Sequence, residues 1–147
     1  MTRTIDDLPT ATAERLRGIN RLLGTVFGEP PPKLSELLKD QGFEASEIGA
    51  LKTRLLDRYL EELARTWIGF FEEILPENRV LVVRQRYGLD GEVPPTLQAI
   101  GEELGVSRER IRQLEKSAAN RLRGRKRKER LQTTLGDAAR TVLSDRT

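Results

Sequence analysis

Residues 97–116 read LQAIGEELGVSRERIRQLEK, and the small residues in this stretch decide the fold. Gly105 stands between two helical patterns, where a tight turn needs a positive φ that strains any residue carrying a β-carbon. Gly101 lies four residues earlier, where two short helices packed at a steep angle approach closely and a larger side chain would collide. Ser107 is placed to cap the second helix by accepting one of its orphan amide protons. Ile100, Leu104, Val106, Ile111 and Leu114 supply a shared apolar core. Together these positions predict a helix-turn-helix over 96–123, opened by Thr96, with its second helix starting at Arg108.

With Ile111, Leu114, Ala118 and Leu122 turned inward, that second helix presents Arg108, Glu109, Arg112, Gln113 and Lys116 outward. Glu109 and Gln113 are four apart and share a stripe. These side-chain types read base edges: arginine forks onto guanine, glutamine pairs with adenine, and glutamate accepts from the cytosine amino group. Bases are read best from the first turns of such a helix. Arg108, Glu109 and Gln113 are therefore candidate base readers, and Arg112 and Lys116 candidate phosphate contacts. Structural roles stand beside these. Glu109 in a first turn also complements the helix dipole, and Arg112 can pair within the helix with Glu109 or Glu115.

The run that follows, RLRGRKRKER at 121–130, holds seven basic residues and one acid. Its Arg125, Lys126 and Arg127 either track a phosphate backbone, releasing counterions and adding a steep salt dependence, or form a solvated helix exit. The net charge of +3 is unevenly spread. Residues 1–83 carry 11 Lys/Arg and 14 Asp/Glu, residues 84–130 carry 13 and 7, and residues 131–147 carry two of each. The basic excess is confined to one block, which suggests a polyanion for that block alone.

Composition narrows the rest. The 147 residues contain no cysteine and no histidine, so disulfides, Cys/His zinc sites, thiol nucleophiles and imidazole bases are ruled out. Glu61/Glu62 and Glu72/Glu73 are adjacent and point to different helix faces, so they read as solvated surface. No metal, cofactor or enzymatic activity is expected. No stretch approaches the roughly 20 apolar residues of a membrane span, and the start lacks a signal-peptide core. A cytoplasmic protein is expected, bacterial and associated with the nucleoid.

Upstream, the first ten residues read as loose. Thr10 or Thr12 can cap a helix to about Phe27, with Leu16, Ile19, Leu22, Leu23 and Val26 at helical spacing. Gly28 and Pro30, Pro31 and Pro32 end it. A short helix from Leu34 to about Asp40 follows. A long amphipathic pattern then runs over 46–75, with a bend or break placed at Gly69. Trp67, Phe70 and Phe71 sit on its stripe as core. Pro76 opens a helix to about Tyr87 that buries Val80, Leu81 and Val83, stopped by Gly88. The chain reads as all-α: N-terminal helices over 1–45, a long helix over 46–75, the helix-turn-helix domain over 76–124, and a basic segment with a C-terminal helix or tail over 125–147.

Three motifs carry a family resemblance: RQRYGLDG at 84–91, TLQAIGEELGVS at 96–107 and SRERIRQLEKSAANRLR at 107–123. From about Leu75 to Arg123 the chain resembles region 4 of the bacterial primary-type sigma factors of RNA polymerase. The resemblance implies binding of the minus-35 promoter element in the major groove and packing against the flap of the polymerase β subunit. It places Arg108, Glu109 and Gln113 at base-reading positions, and Arg110 and Arg112 near phosphates. Arg86 falls on the basic residue before the YGLDG turn, and Thr96 on a phosphate-contacting helix start. Two departures stand out. Gln98 and Ala99 replace the family's paired glutamates, so Thr96 caps without a reciprocal partner. Ser117 stands where the family often has lysine, with Lys116 one residue earlier.

Residues 1–74 show none of the aromatic, strand-opening motif of sigma region 2, so a full initiation factor of the ordinary kind is not expected, and a partner would supply melting. Three functions remain open. One is a region-4-like factor that binds promoter DNA and polymerase. Another is a dimeric helix-turn-helix repressor or activator that never touches polymerase. The third is an antagonist that captures a sigma factor or polymerase. The wide apolar stripe of residues 1–75 suggests a homodimer or partner-protein face.

Overall fold

Where helix-forming stretches alternate with glycine and proline stops, the chain folds, among the described residues, into eight α-helices and no strand. The computed structural model describes residues 4–145. What the sequence reading assigns to residues 1–3 of the N-terminus and 146–147 of the C-terminal segment lies outside them. A short 3-10 turn, Ile5–Asp7, comes first, and the Thr4 N–H donates to the Asp7 carboxylate at 3.1 Å. The helices are α1 (Thr10–Phe27), α2 (Leu34–Asp40), α3 (Ala45–Lys52), α4 (Leu56–Ile74), α5 (Glu77–Arg86), α6 (Leu97–Leu104), α7 (Arg108–Leu122) and α8 (Arg125–Ser144).

Neither Thr10 nor Thr12 caps α1. Pro9 holds the N-cap position, and Thr12 is buried, donating its hydroxyl to Asp57 Oδ1 at 2.7 Å. The single helix expected over 46–75 is two. Thr53 (φ −124, ψ −97) ends α3; its hydroxyl donates to the Gly49 carbonyl at 2.7 Å, and the Leu55 N–H reaches back to the Ala50 carbonyl at 2.9 Å. The turn allows Leu51 and the stripe of α4 to enter the same core from different directions. No break occurs at Gly69. The glycine lies on the exposed side of an unbroken α4 with nothing near its missing β-carbon. An exposed helical glycine costs about 1 kcal/mol, which the packing of the opposite face outweighs.

That face is the centre of the molecule. Tyr59, Leu60, Leu63, Trp67 and Phe71 are buried between Ile19, Leu22, Leu23 and Val26 of α1 and Leu131, Leu135, Ala138 and Val142 of α8. Polar atoms in this seam are paired. Trp67 Nε1 donates to Thr134 Oγ1 at 2.7 Å, and the Tyr59 hydroxyl donates to the Leu135 carbonyl at 3.0 Å. Burial pushes the Tyr59 phenol well above its ordinary range, so it stays a neutral donor. The apolar stripe that suggests a dimer or partner face is therefore covered by the chain's own α8. Among the described residues, only Val93 and Val106 are large hydrophobics left exposed.

α5 lies between two apolar clusters. Val80 and Val83 join the main core, whereas Val82 joins Ile100, Ile111 and Leu114 of the helix-turn-helix. Leu81, expected inside, is only partly buried, and Val82 is fully enclosed. A helix packed on two sides buries a wider arc than one stripe, and the spacing of Val80, Leu81 and Val83 did not reveal which residue faces the second cluster. The same two-sided packing joins the N-terminal helices to the helix-turn-helix. Gly18 of α1 seats directly on the Tyr87 carbonyl, where a β-carbon would come within 1.5 Å of the oxygen. Around that contact Arg15 donates to the carbonyls of Leu89 and Asp90, and Arg21 donates to that of Arg86.

Candidate nucleic-acid interface

The turn between α6 and α7 forms by the local rules its residues impose. Gly105 adopts φ 72, ψ 30 in the left-handed region, which glycine enters without strain. The Val106 N–H returns to the Gly101 carbonyl at 2.9 Å, and a β-carbon on Gly101 would come within 2.7 Å of the Val106 carbonyl oxygen. Ser107 Oγ accepts the Arg110 N–H at 3.0 Å, and Thr96 Oγ1 accepts the Ala99 N–H at 3.0 Å, so both helices start on side-chain caps. Ile100, Ile111 and Leu114 are buried and Leu104 packs against them. Val106 is not part of this core: it is 40% exposed at the tip of the turn, because the close approach at Gly101 is made by its backbone.

This scaffold holds α7 with one long side open to solvent. Arg108, Glu109, Arg110, Arg112, Gln113 and Lys116 are all exposed, and no part of the N-terminal helices covers them. Asn120, which the sequence reading did not single out, extends the stripe of Glu109, Gln113 and Lys116. The 4-3-4 spacing was the available signal. Its Oδ1 accepts from Arg123 at 2.8 Å, and Arg123 Nε donates to the Thr25 carbonyl of α1 at 2.8 Å. That end of α7 is thus tied to the N-terminal helices.

Within the open face the intrahelical alternative for Arg112 is resolved. Its guanidinium forks onto Glu109, with Nη2–Oε1 at 2.6 Å and Nε–Oε2 at 2.9 Å. The Arg112 hydrogen bond holds the Glu109 carboxyl below its ordinary range. Glu115 is instead paired with Arg86, Nε–Oε2 at 3.5 Å. Arg86 is half-buried, and its Nη1 donates to the Pro95 carbonyl at 3.1 Å, fixing the start of α6 against α7. Thr96 is exposed at that start.

The basic run divides in the same way. Arg130 lies over the Phe70 ring and pairs with Glu73 at 3.3 Å. Arg125 and Lys126 are exposed at the beginning of α8, Arg125 beside Glu129 at 3.4 Å, and Arg127 is half-buried. These cations gather at a helix N-terminus, where the dipole disfavours positive charge, so an anion there would relieve an unfavourable field.

Residues 73–124 match the family described as Sigma-70, region 4. The match begins in the last turn of α4 and ends at Gly124, between α7 and α8. The chain is similar to RNA polymerase sigma factor sigB of Arabidopsis thaliana, 32% identical over 121 residues, 80% of this chain and 21% of that protein. It is also similar to RNA polymerase sigma factor RpoD of Helicobacter pylori, 42% identical over 69 residues, 46% of this chain and 10% of that protein. The chain thus spans about a fifth or less of the length of these relatives. A likeness covering 80% of the chain reaches beyond the helix-turn-helix into the N-terminal helices. No solved structure matches the chain.

Proposed function

We propose that this protein, whose residues 73–124 match the sigma-70 region 4 family, is a transcription factor that reads a minus-35-like promoter element and docks on RNA polymerase. The single observation that carries the reading is the unobstructed row of Arg108, Glu109 and Gln113 on the first turns of α7. In this arrangement α7 lies in the major groove. Arg108 forks onto a guanine, Gln113 pairs with an adenine and Glu109 accepts from a cytosine. Thr96, Arg86, Arg110 and Lys116 flank the groove toward the phosphates, and Arg125, Lys126 and Arg127 follow the backbone further out. The setting is the bacterial cytoplasm, at the nucleoid.

A second surface supports the polymerase half. A groove of about 830 Å³ runs between the end of α4, α5 and the end of α6, with Leu75, Pro76, Val80, Leu81 and Leu104 in its walls. Its occupant in this reading is the flap of the polymerase β subunit. The half-buried side chains of Leu81 and Leu104 supply the apolar floor.

Arg108→Ala tests the DNA half. It is expected to cost about 1–3 kcal/mol of discrimination at one base pair and to leave the other positions as they were. Competition binding with single-base variants of the selected duplex measures this. Equal weakening of every duplex would remove Arg108 from the base readers. Leu81→Glu tests the polymerase half. Capture of core polymerase by the immobilised protein should fall at least about tenfold, since a charge would enter an apolar contact, while duplex affinity stays within twofold. Unchanged capture would remove the groove from the reading. A dimeric repressor would instead give a palindromic footprint with half-sites about one helical turn apart.

A further inference from the structure

We infer that Arg112 sets base specificity through Glu109, as a positioning residue, rather than by holding a phosphate of its own. The inference rests on the DNA-reading role of α7. It begins from a choice the structure makes. Arg112 stands between two carboxylates, each three residues away, and forks onto Glu109 because Glu115 is engaged by Arg86, which is itself fixed by the Pro95 carbonyl. The chain of contacts from Pro95 through Arg86 to Glu115 leaves the Arg112 guanidinium directed at the start of the helix.

On the free protein this pair contributes little, since its side chains are 53% and 59% exposed and solvent screens them. Its value appears on docking. A bare carboxylate carried between two phosphate strands is repelled by their charge and loses its water. Held by a guanidinium through two parallel hydrogen bonds, it enters as a neutral pair of fixed orientation. A carboxylate has about four acceptor positions. The two oxygens bound to Arg112 each keep a lone pair, and one of these faces outward to accept the amino group of cytosine. Without Arg112 the glutamate turns away from the groove and the base pair opposite it goes unread.

The test uses the full chain and the duplex it enriches from a randomised pool. Affinities are measured for that duplex and its single-base variants, at several salt concentrations, with the wild type, Arg112→Ala, Arg112→Lys, Glu109→Ala and the double variant Glu109→Ala/Arg112→Ala. Arg112→Ala is expected to lower discrimination about tenfold at the base pair that Glu109→Ala also affects, and nowhere else. Arg112→Lys keeps the charge but not the fork and restores only part of it. In the Glu109→Ala background, removing Arg112 should change discrimination no further. The inference is overturned if Arg112→Ala weakens all duplexes alike, lowers the salt slope by about 0.9, and does so equally in the Glu109→Ala background; Arg112 is then a phosphate contact, and the base-reading role of α7 still stands. If the wild type enriches no sequence, the DNA reading fails and this inference fails with it.

Discussion

Gly18→Ala is expected to destabilise the fold by about 3 kcal/mol or more, lowering the melting temperature by roughly 6–12 °C. The added methyl would stand 1.5 Å from the Tyr87 carbonyl oxygen and 2.6 Å from its carbon. Both are backbone atoms in the turn between α5 and α6, so no rotamer change relieves the collision. α1 would have to lift away. Lifting it would cost the bonds from Arg15 to the carbonyls of Leu89 and Asp90, the Thr25–Tyr87 hydroxyl contact at 3.1 Å and the stacking of Arg21 on the Tyr87 ring. Gly69→Ala supplies the comparison. It adds the same methyl to another helix, where nothing lies within 4 Å, and it should be neutral or stabilising by up to about 1 kcal/mol. Thermal unfolding followed by circular dichroism measures both. A Gly18→Ala protein as stable as the wild type would mean that α1 does not seat on the turn.

Trp67→Ala is the other large effect, about 3–5 kcal/mol. Trp67 is fully enclosed between α4 and α8, tilted against Phe71 at 6.4 Å, and bonded to Thr134. Its removal leaves a cavity in the seam that covers the apolar stripe of α4. Trp67→Phe keeps most of the volume. It leaves the Thr134 hydroxyl still donating to the Leu131 carbonyl at 2.5 Å, so it should cost about 1–2 kcal/mol. The discriminating readout is functional as well as thermal. Ile100, Ile111 and Leu114 form a separate cluster with Val82, so folded Trp67→Phe protein should keep the base preference of the wild type. A changed preference would show that the seam and the reading helix are coupled more closely than the two clusters imply.

These two residues also mark what the sequence could and could not reveal. The helix-turn-helix was legible because local rules decide it. A left-handed glycine at 105, a missing β-carbon at 101 and hydroxyl caps at 96 and 107 each act within a few residues of chain. The outward row on α7 follows once its buried side is known. The partner of the α4 stripe was not legible. α8 buries it with Leu131 and Leu135 but also with Thr134, Gly136, Ala138 and Ala139, small residues that pack by close approach and give a weak apolar signal behind the basic run. Glycine is a poor helix former, so the 46–75 pattern points to a bend or break at Gly69, whereas contacts distant in sequence set the break at Thr53 and leave α4 unbroken. Val82 escapes a single-stripe pattern because α5 packs against two neighbours. The pairing of Arg112 was open in the sequence for a similar reason: what settles it is Arg86, which lies on another helix.

The most direct test of the central claim is methylation interference on the duplex that the wild-type chain enriches from a random pool. Methyl groups at guanine N7 project into the major groove and those at adenine N3 into the minor groove. The account predicts that N7 methylation at one or two guanines blocks binding, that one of these sites loses its effect in Arg108→Ala, and that N3 methylation has little effect. Interference confined to adenine N3, or a guanine pattern identical in wild type and Arg108→Ala, would contradict it.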